Sequence, residues 1–192
     1  MSETIHEQKS AQRKAGIAAR KAIKAPERTA ANAAICAQLL ALPALWQAQT
    51  VLVYSAFGGE VDLAGFIAEA QQHGKTIAYP VCGDGCTLTA AVPGEDGWEV
   101  GAYGIRTPIL SKAAVLQPEQ LDAVLVPCTA FDAGCMRVGM GKGYYDRYLP
   151  HCKKAVKIGI AFEAQKVAAA AADEYDQRLD CYVTEKEVYY GA

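Results

Sequence analysis

Apolar positions along this chain recur with two periods, and their alternation predicts helices and strands in turn. Residues 3–24 are rich in Ala, Lys, Arg, Gln and Glu and contain no proline, which predicts a helix. Pro26 breaks it. Glu27 to Leu42 then form a second, Ala-rich helix with Ile35, Leu39 and Leu42 on one stripe, closed by Pro43. Val51 to Tyr54 is a first strand, followed by the loop Ser55–Glu60, and Asp62 caps a helix running to about His73. Gly74 ends that helix as a left-handed cap. A strand over Thr76–Val81 turns at Gly83-Asp84-Gly85 into Thr87–Val92, a hairpin. Residues 93–108, with glycines at 94, 97, 101 and 104, read as irregular, and Trp98 and Tyr103 as packing groups. Ala123–Val126 is a short β-branched run of the inner-strand kind, stopped by Pro127. A further strand over Ala155–Ala161 precedes an Ala-rich helix around Gln165–Ala172.

Strands alternating with helices, plus one hairpin, predict an α/β fold in three layers. The sheet is largely parallel with helices on both faces. No repeat or linker divides the chain, so one domain is expected over 1–192, with N-terminal helices over 3–42 and an α/β core over 50–192.

Composition narrows the class. A content of 52% hydrophobic and 21% charged residues is that of a globular chain. A net charge of −2 gives no general reason for a nucleic-acid partner, although the first 28 residues are locally basic. No apolar run reaches bilayer length and no signal-peptide core is visible, so the expectation is a cytoplasmic protein without a membrane partner. Seven cysteines form no CxxC pair and have only three histidines to join them, so they read as reduced, mostly buried apolar residues.

The candidate chemistry concentrates in Asp122–Leu149. Glycines at 139, 141 and 143 leave backbone N–H groups uncovered and allow positive φ, so the loop can close round an anion. Tyr144–Leu149 reads as the first turns of a helix whose N-terminus adds partial positive charge. The spacing is neither a Walker loop, since Met140 stands where Lys is needed, nor the dinucleotide fingerprint. Glycine spacing alone leaves a phosphate site and a plain turn both open. Arg137, Lys142 and Asp146 favour the site, because charged groups on a loop at a strand's carboxyl end are seldom there for packing.

The segment VPCTAFDAGCMRVGMGKGYYDRYL resembles the signature of the 5-formyltetrahydrofolate cyclo-ligase (methenyltetrahydrofolate synthetase) family. The shared identities are Val126-Pro127, Ala130-Phe131-Asp132, Gly134, Arg137, Gly139, Gly141, Gly143, Tyr144-Tyr145-Asp146-Arg147 and Leu149. The likeness extends over nearly the whole chain. It implies an ATP-dependent enzyme that cyclises 5-formyltetrahydrofolate to 5,10-methenyltetrahydrofolate, releasing ADP and phosphate, with Mg²⁺ and as a monomer. It implies nucleotide contacts from Lys9 and Arg13, which periodicity alone reads as a solvated basic face, and from Arg137, Gly139, Gly141, Lys142, Gly143, Tyr144 and Tyr145. Lys142 is implied to be catalytic. Ser55, Glu60, Met140 and Tyr144 are implied on the folate side, and Asp146 with Asp180 on the metal.

Two departures carry no role over: Thr107 where the family has an acid, and Tyr175 where it has His. The rival readings are a folate- or nucleotide-binding regulatory relative without turnover and an ATP-dependent enzyme of the same fold with another substrate. Retention of Lys9, Arg13, Lys142 and Asp146 together weighs against the first.

Overall fold

The computed structural model describes residues 3–101 and 104–191; Tyr103 lies outside the described residues. Two long helices come first, α1 (Ile5–Ala22) and α2 (Ala25–Ala41), then the short α3 (Pro43–Gln47). Thr4 and Glu7 form a reciprocal capping box that starts α1. Pro26 and Pro43 sit in the first turns of α2 and α3, where a missing N–H costs nothing, so both prolines begin helices.

The remaining order is β1 (Thr50–Leu52), α4 (Ala64–Gln72), β2 (Thr76–Cys82), β3 (Leu88–Pro93), β4 (Trp98–Val100), β5 (Arg106–Pro108) and β6 (Ala113–Leu116), followed by β7 (Ala123–Pro127), β8 (Ala130–Phe131), β9 (Arg137–Val138), α5 (Tyr144–Tyr148), β10 (Val156–Ile160), β11 (Cys181–Val183) and β12 (Val188–Tyr190). Eight strands form one sheet in the order β12-β11-β10-β7-β1-β2-β3-β6. The five central strands, β11, β10, β7, β1 and β2, are parallel, and β12, β3 and β6 close the edges antiparallel.

Side chains of β7 show why these residues choose a central strand. Ala123 and Leu125 join one buried cluster, with Ile35 and Leu39 of α2 and Phe66 of α4. Val124 and Val126 join the other, with Tyr148 of α5 and Tyr182 of β11. Both faces of the strand are covered, so an unbroken apolar run fits where an alternating one would not. Burying a side chain such as Val or Leu contributes roughly 1.5–3 kcal/mol.

Three expectations change. Within 93–108 two short strands form: β4 and β5 pair antiparallel, Trp98 opposite Pro108, and Trp98 meets Tyr79 edge-on at 4.7 Å. No helix forms over 165–172. Only a 3₁₀ turn, Glu163–Gln165, is present, and beyond it Ala170 N–H donates to Asp132 at 2.9 Å and Ala171 N–H to Gln12 at 2.8 Å. Side chains from elsewhere take up the backbone groups a helix would need, so tertiary contacts override the alanine propensity. Asp62 is not the N-cap of α4: Leu63 takes that position, while Asp62 accepts from Ala64 N–H at 2.9 Å. The predicted hairpin of β2 and β3 is joined by further antiparallel pairs, β8 with β9 and β11 with β12. Cys36, Cys128, Cys135, Cys152 and Cys181 are buried and all seven thiols are free. Among the described residues no helix is long and apolar enough to cross a membrane.

The chain leaves β1 toward β2 on one side and returns to place β7 on the other. Strand order therefore reverses between β1 and β7. Loops at the carboxyl ends of such a pair open a crevice where α/β sheets bind ligands.

Candidate active site

Three elements meet at that crevice: the loop after β1, the glycine loop after β9, and helix α1 laid across both. Helix α1 approaches the sheet without a side chain in the way, since Gly16 faces the carbonyl of Thr129. Gln165, from the 3₁₀ turn, satisfies that stretch by donating to the carbonyls of Cys128 and Thr129 at 2.9 and 3.0 Å.

The glycine loop has the expected backbone. Gly141 and Gly143 take φ of +95° and +70°, conformations that L side chains rarely adopt. Arg13 reaches this loop from α1: its Nε donates to the Gly139 carbonyl at 2.8 Å, and its guanidinium lies against Gly141. Lys142 stands exposed between the two glycines, with no side-chain hydrogen bond or ion pair to any described residue. Met140 is 51% exposed on the same loop. The helix that follows, α5, has five residues before it tightens into a 3₁₀ turn, and Arg147 covers its start by donating to the carbonyls of Lys142 and Gly143. The dipole contribution expected there is correspondingly small.

Arg137 and Asp146 are placed otherwise than sequence suggests. Arg137 is 3% exposed and donates to Asp146 at 2.7 Å. Its Nη1 would lie 3.1 Å from a β-carbon on Gly139, so the guanidinium supports the loop from within, not from its open side. Its Nε is buried without an acceptor among the described residues.

The two acids assigned together on sequence are not brought together. Asp180 accepts the backbone N–H of Lys157 at 2.7 Å at the amino end of β10, away from the loops at the carboxyl ends. The carboxylates carried toward Asp146 are instead those of the 173–176 turn: Gln177 N–H donates to Asp146 at 3.3 Å, and the adjacent Asp176 pairs with Lys9. Lys9 also donates to Asp173 at 2.7 Å. Burial works against the charge on Lys9, but the two carboxylates outweigh it and raise its pKa. Lys9 is thus held by acids instead of standing free on a basic face. No group of three or more His, Cys, Asp or Glu side chains able to hold a metal occurs among the described residues.

On the other side of the crevice, Glu60 turns inward from the loop after β1. Its Oε2 accepts from Phe57 N–H at 3.0 Å and its Oε1 lies 3.7 Å from Arg20. Burial raises the Glu60 pKa, while the Phe57 N–H and Arg20 pull against it. Tyr145 is pushed up by burial first and by Glu60 second. Tyr144 is half-buried against the second core cluster. Ser55 donates to the Arg106 carbonyl at 2.8 Å, tying the loop to β5. Ser55 also lines a cleft of about 490 Å³ with Tyr54, Phe57, Tyr79, Trp98 and Arg106. Glu60 is not among the residues that line this cleft. Sequence reading missed Arg20 and Gly16. The signal was their spacing of four on α1, which puts them on one stripe, the buried one.

Such a site offers backbone N–H groups and cations for an anion, an inward carboxylate for a polar ring edge, and aromatic walls between. Residues 5–185 match the model of the 5-formyltetrahydrofolate cyclo-ligase family. The chain is 30% identical to the 5-formyltetrahydrofolate cyclo-ligase of Escherichia coli K12 over 157 residues, covering 79% of this chain and 86% of that one. Its fold is similar to that of the 5,10-methenyltetrahydrofolate synthetase of Aquifex aeolicus, with a TM-score of 0.83, 32% identity, and 95% and 92% of the two chains covered. The synthetase of Mycoplasma pneumoniae superposes with a TM-score of 0.77 at 26% identity, over 93% of this chain and 99% of that one.

Proposed function

The chain belongs to the 5-formyltetrahydrofolate cyclo-ligase family, and from that premise we propose that it closes 5-formyltetrahydrofolate to 5,10-methenyltetrahydrofolate with consumption of ATP. The formyl oxygen on N5 is a poor leaving group, so ring closure needs it phosphorylated. That oxygen attacks the γ-phosphorus and ADP departs; N10 then attacks the activated formyl carbon, and inorganic phosphate leaves with the C–O bond as N10 loses its proton. Phosphoryl transfer of this kind depends on positioning and charge neutralisation.

The observation that carries the reading is Lys142, without a side-chain partner among the described residues, between two positive-φ glycines, with the Arg13 guanidinium against the same loop. Amides from Gly139 to Gly143 would cradle the phosphates, with Arg13 and Lys9 beside them and Tyr145 behind. Lys142 would offset charge on the phosphoryl group in flight. Arg137 would act through the loop it supports. Glu60 would accept paired N–H groups of the pterin edge, with Ser55, Tyr144 and Met140 lining the folate side.

Mg²⁺ takes one or two carboxylates plus substrate phosphates, not a protein cage. Asp146 and Asp176 suit that demand, each now balanced by a cation, Arg137 and Lys9. Asp146 and Asp176 would hold the ion, which would supply positive charge to the phosphate oxygens, and Lys9, no longer needed by Asp176, would turn to the nucleotide. Asp180 has no part in this arrangement.

The test is an absorbance assay for methenyl product with both substrates, run beside ADP release. Product and ADP appearing only when folate and ATP are both present is expected. ATP hydrolysis indifferent to folate would overturn the reading.

A further inference from the structure

Arg20 is 1% exposed, on a helix whose other buried residue is Gly16. Long charged side chains are almost never buried so completely unless paired. Its Nε donates to the Gly58 carbonyl at 3.1 Å, and its Nη1 donates to the Cys128 carbonyl at 3.2 Å and faces Glu60 at 3.7 Å. Gly58 and Glu60 belong to the loop after β1, and Cys128 is the first residue after β7. These are the two strand ends between which the order of the sheet reverses. One planar fork therefore joins both lips of the crevice to α1, as a point charge would not.

Arg28 of α2 completes the strut, donating to the Gly59 carbonyl at 2.8 Å and to the Arg20 carbonyl. Gly58 and Gly59 both take positive φ, and the carbonyl of each accepts from one of these arginines.

We propose that Arg20 is a positioning residue for the substrate pocket: from α1 it fixes the Gly58–Glu60 loop against the end of β7 and keeps the Glu60 carboxylate aimed and ionised. The inference rests on the reading of Glu60 as the contact to the pterin edge.

Groups facing Glu60 come from its own loop and from three other elements. They are Tyr54 in the loop, Arg20 from α1, Cys128 just after β7 and Tyr145 from α5. Burial raises the Glu60 pKa, and Arg20 is the cation among these groups that lowers it. The sign follows. Removal of Arg20 lets the carboxyl hold its proton to higher pH, and a protonated acid cannot accept two N–H bonds. Folate affinity is then lost at a higher pH than in the natural protein.

The experiment measures 5-formyltetrahydrofolate and ATP dissociation constants against pH for wild type, Arg20→Gln, Arg20→Lys and Glu60→Gln. Circular dichroism of each variant checks the fold. Arg20→Gln should move the acid limb of folate binding to higher pH. Arg20→Lys keeps the charge but cannot span both carbonyls, so it should bind folate about tenfold more weakly with the limb near its wild-type position. ATP should respond less in both. Glu60→Gln, which has no proton to lose, should show no limb. A folded Arg20→Gln with the wild-type limb, or a limb persisting in Glu60→Gln, overturns the proposal. Were Arg20→Gln unfolded, Arg20→Lys with unchanged folate binding would do the same. Because binding is read apart from turnover, absence of methenyl product in the wild type would sink the proposed reaction alone; absence of folate binding would sink both.

Discussion

A β-carbon on Gly16 would sit 1.8 Å from the carbonyl oxygen of Thr129. Helix α1 thus rests directly on the chain leaving β7, and the contact that seats the helix also sets the depth of Arg13 and Arg20.

Gly16→Ala is expected to push α1 outward, because the clashing atom is backbone and cannot swing aside. Overpacking of this kind costs about 1–3 kcal/mol, which in a domain this size lowers Tm by roughly 2–4 °C per kcal/mol. Helix propensity alone predicts the opposite sign, since Ala is favoured over Gly by about 1 kcal/mol. A thermal melt decides: a variant as stable as the natural protein would show that α1 does not bear on Thr129.

Asp146 is the next case. The sequence invites Asp146→Asn as a clean test of metal binding with folding near normal, yet the structure pairs Asp146 with a buried arginine. Removing one partner of such a pair leaves an uncompensated charge, at a cost on the order of 3 kcal/mol. Asp146→Asn should therefore lose stability as well as raise the Mg²⁺ requirement. The double change Arg137→Met with Asp146→Asn should recover much of the loss, as seen by chemical denaturation. Equal destabilisation in single and double variants would mean the pair does not stabilise the loop.

What the sequence could and could not say follows from the range of the interactions. The run Ala123–Val126 announced a central strand because both its faces are apolar, a property of four neighbouring residues. The glycine loop was legible for the same reason: positive φ at Gly141 and Gly143 is a local demand. The helix expected over 165–172 failed because Gln12 and Asp132, remote in sequence, claim its backbone groups. Lys9 read as solvated because its partners, Asp173 and Asp176, lie at the other end of the chain. Asp180 and Asp176 are equally acidic in sequence, and only remote contacts separate them: Lys157 N–H for Asp180, Lys9 for Asp176, with Asp146 bonded beside Asp176 at Gln177. Arg20 could not be told from the other basic residues of α1 by hydropathy, since a helix so polar hides its buried stripe; only its spacing of four from Gly16 marks it.

Lys9 and its two acids give a third prediction. Replacing Asp173 and Asp176 together by Asn removes the carboxylates that compete for the ammonium, so the lysine is freed for phosphate. Affinity for nucleotide offered without metal should rise, while Lys9→Ala should lower it by roughly ten- to a hundredfold, the loss of one charge-assisted hydrogen bond. With Mg²⁺ present the double Asn variant should lose its advantage, since Asp176 would then be missing as a ligand. Calorimetry with and without Mg²⁺ separates the two; identical affinities in all proteins would return Lys9 to a purely structural pairing.

Alkaline pH should unfold this protein through its thiols. Burial pushes Cys128 and Cys181 up to about 12 and Cys135 and Cys152 up to about 11, from an ordinary 9.0. A pKa raised in the folded state gives stability that is whole below the unfolded value and lost as pH climbs through the folded one. Stability should thus be flat in this respect up to pH 9 and fall between 9 and 12. Below pH 9 an aromatic disulfide reagent should modify exposed Cys82 first and leave these four slow. Rapid reaction of all seven in the native state would show the cores to be open.

The sharpest prediction concerns Lys142. Its neighbours on both sides are glycines with positive φ, and its ammonium meets no described residue, so Lys142→Ala should leave stability unchanged. If the ammonium neutralises charge that develops as phosphorus passes from ADP to the formyl oxygen, its loss acts on the transition state and little on either bound substrate. The expected result is a fall in kcat on the order of a hundred- to a thousandfold, with much smaller changes in KM for folate or ATP. Lys142→Arg should rescue poorly, since a planar fork does not reproduce a compact charge in so tight a loop. Arg13→Ala supplies the contrast, because its guanidinium already bonds Gly139 and lies on Gly141. That variant should raise KM for ATP and disturb the loop, changing kcat less. A Lys142→Ala protein that turned over at the natural rate would separate the glycine loop from the chemistry and leave it as a turn that shapes the fold.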